Sequence, residues 1–179
     1  MNPTKSNSKS LYQQDLKRYN GKSGRFLKLY LYLFRELQTS RYSFRLKIYC
    51  FLYAKMSSFS HLEISPLTKM GGIYLGHAYV ITINPKAITG NNCNIHKGGT
   101  IGQESRGKRK GTPIIGNRVW IGVGAVIIGN INIGDDVMIA PNSFVNIDIP
   151  SHSIVFGNPC IIKPRNPATQ DYIVNTTEE

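Results

Sequence analysis

Six aliphatic positions recur in this chain at one strict interval: Ile115, Ile121, Ile127, Ile133, Ile139 and Val145 stand six residues apart. Four positions after each comes a second aliphatic or small residue: Val119, Ala125, Ile131, Val137, Ser143 and Ile149. An α-helix repeats near 3.6 residues and a flat strand at 2, so neither alone produces a period of six. Short strands joined by tight corners do, when each three-sided coil covers the core of the next in a parallel β-helix. The beat is visible earlier at Ile64 and Met70, slips near Gly71-Gly72, and returns at Ile83, Thr89, Ile95 and Ile101. Of 17 glycines, 14 lie between positions 71 and 134, as suits corners that need positive φ or close backbone approach. The expected fold is mainly β, about five coils over 62–162, with a short α-helical N-terminal segment.

Charge divides the chain. Residues 1–60 carry 12 Lys and Arg against Asp15 and Glu36, whereas the rest carries 10 against 8 acids. Basicity therefore belongs to the N-terminal third, and no nucleic-acid motif accompanies it. The expected organisation is a polar tail at 1–10, a basic helical segment at 11–60, the β-helix at 62–162 and a C-terminal tail at 163–179. Leu27, Tyr30, Leu31, Phe34 and Leu37 fall at helical spacing, as do Phe44, Ile48, Phe51 and Leu52. Their apolar faces are expected to close the open end of the β-helix and to meet neighbouring subunits. Cationic side chains interleaved with Tyr, Phe and Leu over 11–57 also suit peripheral contact with an anionic membrane face. Cys50, Cys93 and Cys160 are odd in number and in no metal-ligand spacing, and no signal or spanning segment is evident. The expected location is cytoplasmic, with reduced thiols.

One segment refuses the beat. Residues 103–113, Gln103 to Pro113, must be extruded as a loop, and its cations Arg106, Lys108 and Lys110 suit an anionic substrate. A β-helix offers no pocket of its own, so sites are expected where copies pack, and a three-sided prism suggests a homotrimer. Among four histidines, His77 lies next to the phase slip, in Gly72-Ile73-Tyr74-Leu75-Gly76-His77. His96 follows a repeat isoleucine, His61 precedes the first coil, and His152 lies in a closing turn.

The order Glu63-Ile64-Ser65-Pro66, Gly76-His77, Thr100-Ile101-Gly102, extruded loop, Ile115-Gly116 and Val155-Phe156-Gly157-Asn158-Pro159 resembles the hexapeptide-repeat acetyltransferases over about a hundred residues. The nearest branch is that of serine acetyltransferases and the acetyltransferases of capsular and exopolysaccharide synthesis. The resemblance implies a left-handed β-helix, a trimer and acetyl-CoA as donor, with no metal. It places the catalytic base on His77 and its partner carboxylate on Glu63. An imidazole takes the proton of an attacking hydroxyl, and a carboxylate on its other nitrogen fixes the tautomer. The donor's pantetheine arm is implied to lie along the corners of Gly122, Gly124, Ala125 and Ala140, with Lys163 and Arg165 near the nucleotide phosphates. Serine acetyltransferases carry an Arg-His pair where the loop rejoins the coil, whereas this chain reads Lys110-Gly111-Thr112-Pro113. The helical segment before the coils is also short. Both departures point to a sugar hydroxyl of surface polysaccharide synthesis as the expected acceptor, with serine, for cysteine biosynthesis, as the alternative. Two further readings are a metal enzyme using His61, His77 and His96, spaced near one coil apart, and a non-catalytic scaffold; neither has supporting motifs.

Overall fold

The computed structural model of the protein describes residues 5–39 and 44–177. Among these, fifteen short strands wind into five coils around one core. The first coil holds β1 (Leu62–Ile64), β2 (Lys69–Met70) and β3 (Ile73–Gly76). The second holds β4 (Ile81–Ile83), β5 (Ile88–Thr89) and β6 (Cys93–His96), and the third β7 (Thr100–Gly102), β8 (Ile114–Ile115) and β9 (Val119–Ile121). The fourth holds β10 (Val126–Ile128), β11 (Asn132–Ile133) and β12 (Val137–Ile139). The fifth holds β13 (Phe144–Val145) and β14 (Ser153–Phe156), after which β15 (Ile161–Pro164) turns back antiparallel to β14. Stacked in parallel, these strands make three faces. Face A is β1-β4-β7-β10-β13, face B is β2-β5-β8-β11, and face C is β3-β6-β9-β12-β14 with β15 at its end.

The six-residue beat is the core. Ile64, Met70, Ile83, Thr89, Ile95, Ile101 and the later run from Ile115 to Val145 are all buried, as is every residue four positions after the later run. Each buried aliphatic contributes about 1.5–3 kcal/mol relative to exposure, and its neighbours in the coils above and below supply the cover. Corners between faces B and C turn through Asn92, Arg118, Asp136 and His152, all with φ between 52 and 59. Asn, Asp and His accept this left-handed region more readily than other residues with side chains, and Arg118 is the exception.

The slip near Gly71-Gly72 is one missing residue, since Met70 and Leu75 are five positions apart and their partners Thr89 and Ile95 six, and a second irregularity follows it. Leu75 and Ile83 are eight positions apart, whereas Ile95 and Ile101, which pair with them on faces C and A, are six apart. Two extra residues therefore swell the first C-to-A corner, His77 to Val80. Both His77 (φ 51) and the β-branched Val80 (φ 52) take left-handed backbone there. A β-branched residue in that region is a strained arrangement of the kind that gathers at functional sites.

Three helices precede the coils: α1 (Lys5–Arg18), α2 (Arg25–Thr39) and α3 (Phe44–Ser60). The expected tail at 1–10 is already helical from Lys5, and residues 1–4 lie outside the described residues, as do 40–43 after the break at Thr39. Tyr30, Leu31 and Phe34 of α2 are buried as their spacing predicts, Leu27 and Leu37 are partly so, and Leu33, outside that set, is buried as well. The face assigned to α3 is corrected. Tyr53 is buried with Tyr49 and Met56 partly so, while Ile48, Phe51 and Leu52 face outward. Spacing identified the helix, but α3 is apolar around most of its circumference, so spacing could not choose the inner side.

The open end of the core is closed by a buried ion pair. Asp15 accepts two hydrogen bonds from Arg35, at 2.8 and 2.9 Å, and one from the Ile73 backbone N–H at 3.0 Å. Arg35 also donates to the carbonyls of Met70 and Gly71, satisfying backbone groups that have no coil above them. Burial pushes the Asp15 carboxyl upward, against the pull of Arg35. The C-terminal segment, expected as a tail, is instead held against the molecule. Asp136 accepts from the backbone N–H groups of Ala168 and Thr169 and from Thr169 Oγ1, and Asn92 bonds Thr177.

Candidate active site

His77 is the first residue beyond β3 and its side chain is exposed on the swollen C-to-A corner. Gly76 before it makes this corner possible. The His96 ring, one coil below, lies where a β-carbon at position 76 would stand. Burial, and then the charge of His77 nearby, hold His96 below the ordinary imidazole pKa. Its Nε2 is buried without a partner, and its ring packs 4.8 Å from that of Trp120. On the outer side of the corner, Tyr79 stands edge-on to His61 at 5.6 Å, and Lys97 places its ammonium 5.7 Å from the Tyr79 ring.

Glu63 projects from the middle of β1 on face A, because its neighbours Leu62 and Ile64 take the inward positions. It accepts a hydrogen bond from Thr82 Oγ1 at 3.1 Å. It lines a cleft of about 820 Å³ between α3 and face A, together with His61, Tyr53, Ser57 and Asn84. His77 is not among the residues lining this cleft, and among the described residues no hydrogen bond joins it to Glu63. The structure thus sets His77 on the corner that leads into face A and Glu63 on that face, without pairing them.

Below His77 the same corner continues through the third and fourth coils, where Gly122, Gly124, Ala125 and Ala140 stack. Their backbone N–H groups are already used, donating to Ile139, Lys97, Gly122 and Val155 carbonyls respectively. Ala125 also has its side chain in the core. A ligand arm along this column would meet carbonyl oxygens and the glycine surfaces rather than those four donors. Lys163 on β15 reaches toward this side, with its ammonium 5.6 Å from the Phe156 ring. Arg165 follows two residues on, its backbone N–H bonding the His152 carbonyl at the other edge of face C.

The extruded loop is a small hairpin at the A-to-B corner. Glu104 and Gly111 bridge its base, and Arg109 folds down onto the Asn146 carbonyl. Arg106, Lys108 and Lys110 are left exposed. Within one chain this loop stands at a different corner from His77, so a site using both requires two copies. Residues that the sequence did not single out are Trp120, Tyr172 and Arg18. Trp120 occupies an ordinary outward repeat position, and the contacts of Tyr172 depend on the path of the C-terminal segment.

Comparison with known proteins follows the same lines. Residues 112–146 match the family model "Bacterial transferase hexapeptide (six repeats)". The chain is 38% identical over 99 residues to a serine acetyltransferase of Synechococcus elongatus, covering 55% of this chain and 41% of that one. A Helicobacter pylori serine acetyltransferase is 37% identical over 98 residues, 54% of this chain and 57% of the relative. The chain thus spans about half the length of the curated relatives it matches. Among solved structures, Neisseria gonorrhoeae serine acetyltransferase in complex with serine superposes with a TM-score of 0.69 at 26% identity, covering 89% of this chain and 70% of that one. The soybean apoenzyme gives 0.73 at 26% identity, with 87% and 69% covered. These likenesses overturn the expected role in polysaccharide synthesis. The absent Arg-His pair and short helical segment pointed to a sugar, but the relatives and neighbours found are serine acetyltransferases.

Proposed function

From the premise that this chain belongs to the hexapeptide-repeat transferases, we propose that it transfers the acetyl group of acetyl-CoA to the hydroxyl of serine. The observation that carries the reading is the His77 corner. It holds an exposed imidazole at a two-residue swelling, directly above a column of small residues that leaves room for a long thin donor. His77 takes the proton from the serine hydroxyl as its oxygen attacks the thioester carbonyl. The tetrahedral oxyanion then collapses, the C–S bond breaks, and the departing CoA thiolate recovers the proton from His77. Glu63 is the orienting carboxylate, turning from Thr82 to the imidazole once substrates fill the corner. The donor arm runs past Gly122, Gly124, Ala125 and Ala140, with Lys163 close to its phosphates.

The acceptor's carboxylate is assigned to Arg106, Lys108 and Lys110 of an adjoining copy. Face C is covered by α1 and the C-terminal segment of its own chain, which leaves faces A and B, and the loop corner between them, for partners. A closed trimer gives each His77 corner an identical neighbour. No helix among the described residues is long and apolar enough to cross a membrane. Surface contact with one is a separate proposal, resting on outward Ile48, Phe51, Leu52 and Phe59 beside Lys47 and Lys55.

The acceptor is tested by following CoA thiol release with serine, threonine, glycerol and a hexose offered singly. Serine is expected to be the fastest by at least about tenfold, the discrimination of a site built to pair a charged carboxylate. Equal rates with the hexose would remove serine as the acceptor.

A further inference from the structure

Among the described residues two guanidinium groups are buried, and they are treated differently. Arg35 is paired with Asp15. Arg18, only 2% exposed, meets neutral acceptors alone among the described residues: the carbonyls of Val174 and Asn92, and Asn94 Oδ1. Its Nε is buried and has no hydrogen-bond partner among the described residues. A buried cation that no carboxylate hydrogen-bonds is costly, so its retention asks for an explanation.

Arg18 lines a cavity of about 310 Å³ between the end of α1, the outer side of face C and the C-terminal segment. Tyr74, Trp120 and Tyr172 supply aromatic walls, with Trp120 and Tyr172 edge-on at 5.2 Å. Lys22 stands at the rim, and His96 is also part of the lining. No Asp or Glu lines the space. The outer wall is held at both ends, by Asp136 to Thr169 and by Asn92 to Thr177, so the segment arches over the chamber.

We propose that this chamber is a second binding site, for a small monocarboxylate with a flat apolar body. The carboxylate accepts from Lys22 and lies over the buried Arg18 guanidinium, whose charge no carboxylate hydrogen-bonds among the described residues, while the body lies among Tyr74, Trp120 and Tyr172. A phosphate fits less well. Three of the five Arg18 N–H groups are committed to the chain and the walls are aromatic, whereas a dianion with three acceptor oxygens needs several more donors. The volume is at the lower end for small-ligand sites, which favours a compact occupant. His77 and Glu63 do not line this chamber, so it is separate from the proposed catalytic corner. It nonetheless adjoins that corner, because His96 lies against Gly76.

Trp120 is the single tryptophan of the chain and lines the chamber, so its fluorescence reports occupancy directly. The probe is sodium benzoate, with uncharged benzamide as control, at fixed ionic strength and without acetyl-CoA. The proposal expects a saturable change with benzoate and affinity at least about tenfold above that of benzamide, the factor expected of a charge-assisted hydrogen bond. Lys22→Gln and Arg18→Gln should each weaken benzoate by about tenfold or more. Tyr172→Ala, which leaves both cations in place, should weaken benzoate and benzamide alike, so the result survives if the Arg18 variant does not fold. Absence of saturation, equal binding of benzamide, or unchanged benzoate affinity in folded Lys22→Gln would overturn it. None of these readouts depends on acetyl transfer, so failure of the serine reading leaves the test intact.

Discussion

Gly76 gives the proposed catalytic corner its room. A methyl group there would collide with the His96 ring, which packs against Trp120. Gly76→Ala should therefore destabilise the fold by about 1–3 kcal/mol, the usual range for overpacking, and shift His77 with it. Thermal unfolding checks this, and an unchanged melting temperature would show that His96 moves freely. At this scale the inward residues were legible in the sequence, since a side chain every six positions has nowhere to go but the core. The partners of His77 and Glu63 were not. Glu63 bonds Thr82, a neighbour set by strand register one coil away, and the six-residue beat carries no information about outward contacts.

Among elements, the C-terminal segment depends on one carboxylate. Burial raises the Asp136 pKa, but hydrogen bonds from Thr169 Oγ1, the Ala168 N–H, His152 and the Thr169 N–H outweigh it and bring it down to about 2. A carboxyl whose folded pKa is depressed stabilises the fold fully above its unfolded value near 3.9. That contribution, about 2 kcal/mol, should fade as pH falls from roughly 4 toward 2. Urea midpoints across this range, against Asp136→Asn, check it, because the variant should lack this part of the acid dependence. The first coil has a comparable dependence on α1 and α2. Asp15→Asn leaves Arg35 buried without its charge partner and should cost about 3–5 kcal/mol, read from the same midpoints. The helices themselves were legible from spacing. Their contacts were not, since the buried face of α3 and the return of residues 165–177 across face C are settled by packing between distant parts of the chain.

For the whole molecule, the separation of His77 and the cationic loop onto different corners predicts an assembly. Mass measurement in solution should give three chains, and a monomer that retains full turnover would refute the shared site. A mixture of His77→Ala chains with chains altered at Arg106, Lys108 and Lys110 should recover part of the activity that either lacks alone, because some interfaces pair two intact halves. The α3 surface makes its own prediction. A two-fold contact through it would set Lys47 and Lys55 against their own copies, whereas an anionic bilayer would not, so flotation with phosphatidylserine vesicles should exceed that with neutral vesicles. Equal recovery would dismiss the membrane contact. The five-coil architecture was legible from the beat alone. The acceptor was not, since the beat says nothing about outward residues, and there the absent Arg-His pair pointed toward a sugar while the relatives are serine acetyltransferases.

The most direct test of the account is the rate of CoA release from acetyl-CoA with saturating serine, compared between the natural chain and His77→Ala at matched assembly state. Loss of a positioned base predicts a fall of about 10²–10⁴-fold with the trimer intact. Turnover within about threefold of the natural chain would place the base elsewhere and contradict the account.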